Sequence, residues 1–162
     1  MRLELTHPLP ANTDSVWQLV FSDEFSVALD QRTGVRRERV SDEVKDGKQH
    51  TSFRIVHSEP LPKMAAKAMG TDTLVYFQDQ VIDEPSKTVH WRVRLPSLGS
   101  KVQASGTYRL EPISDRCQRV VSGDISVRIP LIGSRVEKEI VKKLSASYDD
   151  SAKFIRHWLS KS

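Results

Sequence analysis

The chain has 162 residues, 38% hydrophobic and 28% charged, which are proportions of a globular chain and neither a disordered nor a membrane-spanning one. Twenty-five Lys and Arg against 21 Asp and Glu leave a formal net charge of +4, with no long basic run of the kind that marks a nucleic-acid tail. The single cysteine, Cys117, excludes an internal disulfide and a multi-thiolate zinc or iron–sulfur centre.

The opening residues hold no apolar stretch of signal-peptide length, and no window approaches the roughly 18 apolar residues of a membrane span. A cytoplasmic location is therefore expected. Residues 2–7 alternate Leu3 and Leu5 with polar neighbours and read as a strand. Asn12 or Thr13 caps a helix carrying Val16, Trp17, Val20 and Phe21, with Asp14 in its first turn. A second short helical turn runs through Phe25, Val27 and Leu29. Residues 35–45 and 48–57 flank Asp46-Gly47, a hairpin dipeptide. Residues 73–82 are rich in β-formers, but both faces carry apolar side chains, which leaves their register open. Residues 87–95, 101–110 and 117–129 alternate apolar and polar positions, as half-buried strands do. The pattern stops at Pro130. Ser134 and Glu137 have the spacing of a capping box, opening a helix to about Leu159 with Val136, Ile140, Leu144, Tyr148 and Ile155 on one stripe. The predicted fold is α+β: a curved antiparallel sheet of about seven strands wrapped around a long C-terminal helix, with two short helices after the first strand, in one domain over residues 1–162.

This order resembles the helix-grip fold of the START-like (SRPBCC) superfamily. The residues that carry the resemblance are Pro10-Ala11-Asn12-Thr13-Asp14-Ser15-Val16-Trp17 after the first strand, Val127-Arg128-Ile129-Pro130-Leu131-Ile132-Gly133-Ser134-Arg135-Val136-Glu137 before the last helix, and Phe154-Ile155-Arg156-His157-Trp158-Leu159 at its end. The last two stretches resemble an uncharacterised branch of the superfamily, known only as a domain of unknown function. The resemblance implies a cavity between sheet and helix for lipids, sterols, polyketides or other apolar molecules. It also covers cyclases, hydrolases, carriers and ligand-free adaptors, and fold alone does not choose among them.

Candidate ligand-binding residues on the strands are Phe53, Ile55, Phe77, Trp91, Val93, Ala104, Tyr108 and Ile125; on the long helix they are Ile140, Leu144 and Tyr148. Ala104, Gly106 and Gly123 withhold volume from the inward face, let the sheet bend, or both. Residues 60–72 interrupt the strand succession, and Leu61, Met64 and Met69 are candidate portal residues. Lys63 and Lys67 beside them support at most weak, transient membrane contact. The five histidines have no ligand spacing, so no metal or cofactor is expected. His57 at a strand end is either a cavity-mouth base or a surface side chain, and Asp79 is a second acid–base candidate if its strand faces inward. Arg116 and Arg119 beside Cys117 would depress its pKa if the thiol were exposed, whereas burial would leave it inert. No G-x-S-x-G elbow, P-loop or G-x-G-x-x-G is present. The leading expectation is binding or carriage of a small hydrophobic or amphipathic molecule, oriented by Trp91, Tyr108 and Tyr148. The alternatives are a polyketide cyclase/aromatase-like enzyme and an adaptor.

Overall fold

The computed structural model describes residues 1–161. In chain order it contains β1 (Arg2–Leu9), α1 (Thr13–Val20), α2 (Asp23–Thr33), β2 (Val35–Lys45), β3 (Lys48–Pro60), α3 (Lys63–Met69), β4 (Thr73–Asp83), β5 (Thr88–Arg94), β6 (Val102–Ile113), β7 (Arg116–Val127) and α4 (Gly133–Ser160). One seven-stranded sheet runs in the order β1-β7-β6-β5-β4-β3-β2, and every neighbouring pair is antiparallel. The helix-grip architecture expected from the alternating strands and the long final helix is the one observed.

Local chemistry explains the boundaries of α1, α2 and the first hairpin. Asn12 caps α1 by accepting from the Ser15 N–H, and Ser22 caps α2 through Phe25. Gly34, in the left-handed region at φ 69°, ends α2. Asp46 and Gly47 both have positive φ, 52° and 75°, which closes the β2–β3 hairpin with the twist its strands require. The edge strand β2 is almost wholly exposed, highly charged, and bulged between Arg39 and Ser41, features that discourage pairing with another chain.

The start of α4 corrects the capping-box reading. The helix begins at Gly133 with no side-chain cap. Glu137 does not reach back along its own helix; its Oε1 accepts from the Val127 N–H at 3.0 Å and so satisfies the last donor of β7.

The core lies in three clusters along the concave face. At one end Val16, Trp17 and Phe25 of α1–α2 and Ile155 of α4 pack on Leu9, Val89, Leu110 and Cys117. In the middle Trp91, Ala104, Val121 and Ile125 meet Ile140, Leu144 and Tyr148 of α4. At the other end Leu95, Val102 and Val127 meet Met69, Leu74, Tyr76, Val136 and Ile140. The helix α4 is buried only at Gly133 and along its second half, at Ser151, Ala152 and Ile155. Its stripe from Val136 to Tyr148 stays partly exposed.

Candidate functional site

Directly paired residues of neighbouring strands share a face of the sheet, so the register shows which side chains look toward α4. Phe53 pairs with Gln78, Gln78 with Val93, Val93 with Ala104 and Ala104 with Ile125. The next row runs Thr51, Gln80, Trp91, Gly106, Gly123 and Leu3. Trp91 and Ala104 belong to the core under α4, so both rows line the concave face.

This settles the open register of β4. Tyr76, Gln78 and Gln80 point inward, and Val75, Phe77 and Asp79 point to the convex side. Phe77 is therefore removed from the candidate ligand residues: it lies beside Arg94, whose guanidinium stands 5.0 Å from its ring. Asp79 is removed as an acid–base candidate for the same reason. Arg94 grips its carboxylate through two bonds, at 2.7 and 3.0 Å, and this pairing holds its pKa below the usual carboxylate range, with a further hydrogen bond from Ser52.

The glycines do not leave empty space. A Cβ on Gly106 or on Gly123 would stand 2.7 Å from Trp91 Cζ2, so the indole lies over both and occupies the volume they release. The inward-facing residues that keep partial exposure lie further toward β2–β4. There Phe53, His57, Tyr76, Gln78 and Val93 on the sheet, and Ile140, Leu144 and Tyr148 on α4, all keep partial exposure on inward faces. These side chains leave a partly open surface, the groove, beside α4 over the concave face of β3–β5. Ile55, Ala104 and Ile125 face the same way but are sealed, at 1%, 6% and 0% exposure. Of the portal candidates, Met69 packs at one end of the groove with Leu74 and Tyr76, while Leu61 and Met64 are partly buried. Two open surface depressions, of about 300 Å³ around Gly34 and Ser58 and about 460 Å³ around Pro130, include none of the candidate ligand residues.

His57 proves to have a positioned partner. Its Nε2 lies 3.1 Å from the Tyr76 hydroxyl. Burial, reinforced by the charge of Lys143, lowers the His57 pKa, and burial pushes Tyr76 up to about 12. The pair is thus a neutral imidazole and a neutral phenol at pH 7, either of which can donate or accept. Burial raises Tyr108 and Tyr148 as well.

Arg119, singled out in the sequence only as a neighbour of Cys117, is a buried hub of hydrogen bonds. It is 2% exposed and donates to Ser151 Oγ at 3.0 Å, to the Tyr148 carbonyl at 2.6 Å and to His7 Nδ1 at 3.2 Å. An arginine only donates, so the His7 ring proton sits on Nε2 and is given to Asp149, 2.7 Å away. Arg119 also lies 5.7 and 5.3 Å from the Tyr108 and Tyr148 rings, and so braces both tyrosines at the groove's inner end. Its odd-numbered position beside Val121 in an alternating strand was the available signal. Cys117 is 1% exposed, and burial pushes its thiol up; proximity to arginine in sequence does not activate it. Among the described residues no group of three or more His, Cys, Asp or Glu could hold a metal ion, and no helix is long and apolar enough to cross a membrane.

No match was found among curated proteins. Among solved structures the chain is similar to the Zhui aromatase/cyclase of a Streptomyces species, at 13% identity over 99% of this chain and 94% of that one, with a TM-score of 0.70. It is similar to norcoclaurine synthase of Thalictrum flavum, at 17% identity, 100% and 96% coverage and a TM-score of 0.65. A START superfamily protein of Mycobacterium smegmatis matches at 14% identity, 95% and 98% coverage and a TM-score of 0.58. These likenesses establish the SRPBCC helix-grip fold. The family model described as a protein of unknown function (DUF2505) matches residues 4–159, and the chain belongs to that family.

Proposed function

We propose that the chain acts as a single ligand-binding domain that holds a small amphipathic molecule in the groove between α4 and the β3–β5 floor. The observation that carries this reading is the stand-off of α4: Ile140, Leu144 and Tyr148 face the sheet yet stay partly exposed, and so do Phe53 and Val93 below them. A helix that packs fully elsewhere, at Ser151, Ala152 and Ile155, leaves its apolar stripe unsealed here. Each 100 Å² of apolar ligand surface buried against it contributes about 2.5 kcal/mol before the cost of association. The START superfamily, aromatase/cyclase and synthase neighbours agree with a pocketed use of this fold. Native mass spectrometry of the purified protein, followed by denaturing extraction, tests the reading. A small molecule released in proportion to protein supports it; a protein that stays unliganded after incubation with a panel of lipids and polycyclic aromatics contradicts it.

One observation favours a second, enzymatic reading: the His57–Tyr76 pair faces the groove. A neutral imidazole hydrogen-bonded to a phenol can take a proton from a bound molecule and return it through the hydroxyl. On that reading His57→Gln abolishes turnover of a bound substrate while the fold is kept.

A further inference from the structure

The loop between β7 and α4 presents a leucine that neither folding nor solubility explains. Leu131 is fully exposed, at 102%, and its backbone lies in the left-handed region at φ 71°. That conformation strains a leucine and suits a glycine. The loop is not loose. The Arg128 N–H donates to the Lys101 carbonyl at 2.7 Å, the Gly133 N–H to the Ile129 carbonyl at 2.9 Å and the Val136 N–H to the Ile132 carbonyl at 3.0 Å. A Cβ on Gly133 would lie 2.4 Å from the Val127 carbonyl oxygen, so the turn is drawn tight against the end of β7 and holds Leu131 outward. Pro130 beside it is exposed, and Ile129 and Ile132 are partly exposed.

The charge around this apolar tip is of one sign. Lys101, Arg128 and Arg135 are exposed, and none of the three makes an ion pair or a side-chain hydrogen bond among the described residues. The carboxylates closest along the chain on either side are spent: Asp124 is bonded to Arg2 at 3.0 Å, and Glu137 accepts from the Val127 N–H. Residues 95–105, the neighbouring loop and the start of β6, contain no acid.

We infer that the β7–α4 loop docks the protein on an anionic lipid surface, with Leu131 entering the acyl boundary and Lys101, Arg128 and Arg135 at the level of the headgroup phosphates. An apolar side chain held out on a rigid turn among unpaired cations matches a surface that is apolar inside and negative at its face. A protein partner is a poorer match, since one leucine without an aromatic anchor falls short of the packed centre of a stable interface. The contact is weak and reversible, because three cations and one leucine do not amount to a stable anchor. The inference stands independently of the groove reading.

Co-sedimentation with vesicles of phosphatidylcholine, alone or with about 30% phosphatidylserine, tests it. The wild type should bind the anionic vesicles and not the neutral ones, and should lose binding as salt rises from about 0.05 to about 0.5 M. Leu131→Gly should weaken binding at least about ten-fold, the share of one buried leucine, while its unfolding midpoint stays equal or rises, because glycine relieves the left-handed backbone. Arg128→Gln with Arg135→Gln should weaken it about 25-fold, about five-fold for each charge. Failure of the wild type to bind anionic vesicles overturns the inference. Binding that Leu131→Gly leaves unchanged overturns it as well, since charge attraction then acts without the loop. Concentration-dependent self-association that Leu131→Gly abolishes, without vesicle binding, gives the surface to a second copy of the chain and overturns it too.

Discussion

Replacing Gly123 by alanine tests how tightly the sheet is closed beneath Trp91. The added Cβ would lie 2.6 Å from the Ser105 carbonyl oxygen, 2.7 Å from Trp91 Cζ2 and 2.8 Å from Cη2. Neither neighbour can yield cheaply. The carbonyl belongs to the β6 backbone, and the indole is 6% exposed among Leu3, Ala104, Val121 and Ile125. Forcing a methyl group into a well-packed core costs typically 1–3 kcal/mol. Contact with one backbone atom and two ring atoms places Gly123→Ala near the top of that range, about 3 kcal/mol, a large share of the 5–15 kcal/mol that holds a domain folded. Urea unfolding followed by circular dichroism reads this as a midpoint lowered by roughly 1–2 M with an unchanged slope. Two of the three clashes are with the indole, so in a Trp91→Leu background the same substitution should cost less by at least about 1 kcal/mol. A cost below about 0.5 kcal/mol, or equal costs in the two backgrounds, would refute the placement of the indole over the glycine pair.

The three tyrosines of the chain line or flank the groove, and burial raises all of them, Tyr76 to about 12. Absorbance at 295 nm should therefore show no phenolate at the ordinary midpoint near 10 while the fold persists. Folded values above the unfolded one mean stability that is complete below about pH 10 and lost as pH rises toward 12; a full phenolate step at 10 in a folded sample would contradict this. His57 has the opposite sense, since burial lowers its pKa below the ordinary 6.5. Its contribution is complete above about pH 6.5 and lost as pH falls below that value. His57→Gln should thus lose less stability than the wild type between about pH 7.5 and pH 5.5, and equal losses would show that His57 is not the group responsible. The buried Cys117 thiol, raised by desolvation, should react with a disulfide reagent at about pH 8 only when urea opens the fold; rapid labelling of the native chain would disprove its burial.

How much of this was legible in the sequence depended on the contrast between faces. In β5 and β6 each apolar residue is followed by a polar one, so Val89, Trp91, Val93, Ala104 and Tyr108 could be assigned inward without coordinates. The strand β4 lacks that contrast: Tyr76 and Ile82 lie on one face, Val75, Phe77 and Val81 on the other. Pairing with β3 and β5 decides its register, and that is long-range information. Two glutamines, not Phe77, then face the groove, and its floor is more polar than residue type suggested. Arg119 was hidden for a different reason. It shares the face of Val121, but a buried guanidinium is tolerable only with several partners, and these come from His7, Tyr148 and Ser151, distant in sequence. The start of α4 was misread because Glu137 satisfies a donor on β7 that no local pattern brings into view.

The central claim is that the space under the first half of α4 accepts a small molecule. Methyl-resolved NMR during titration with N-phenyl-1-naphthylamine tests it most directly. Methyl resonances of Val93, Ile140 and Leu144 should shift together and saturate, while those of Val16, Leu110 and Ile155, at the sealed end of the core, stay fixed. Shifts confined to exposed Val27, Val44 and Leu131, or no shift at all, would contradict a ligand groove in this fold.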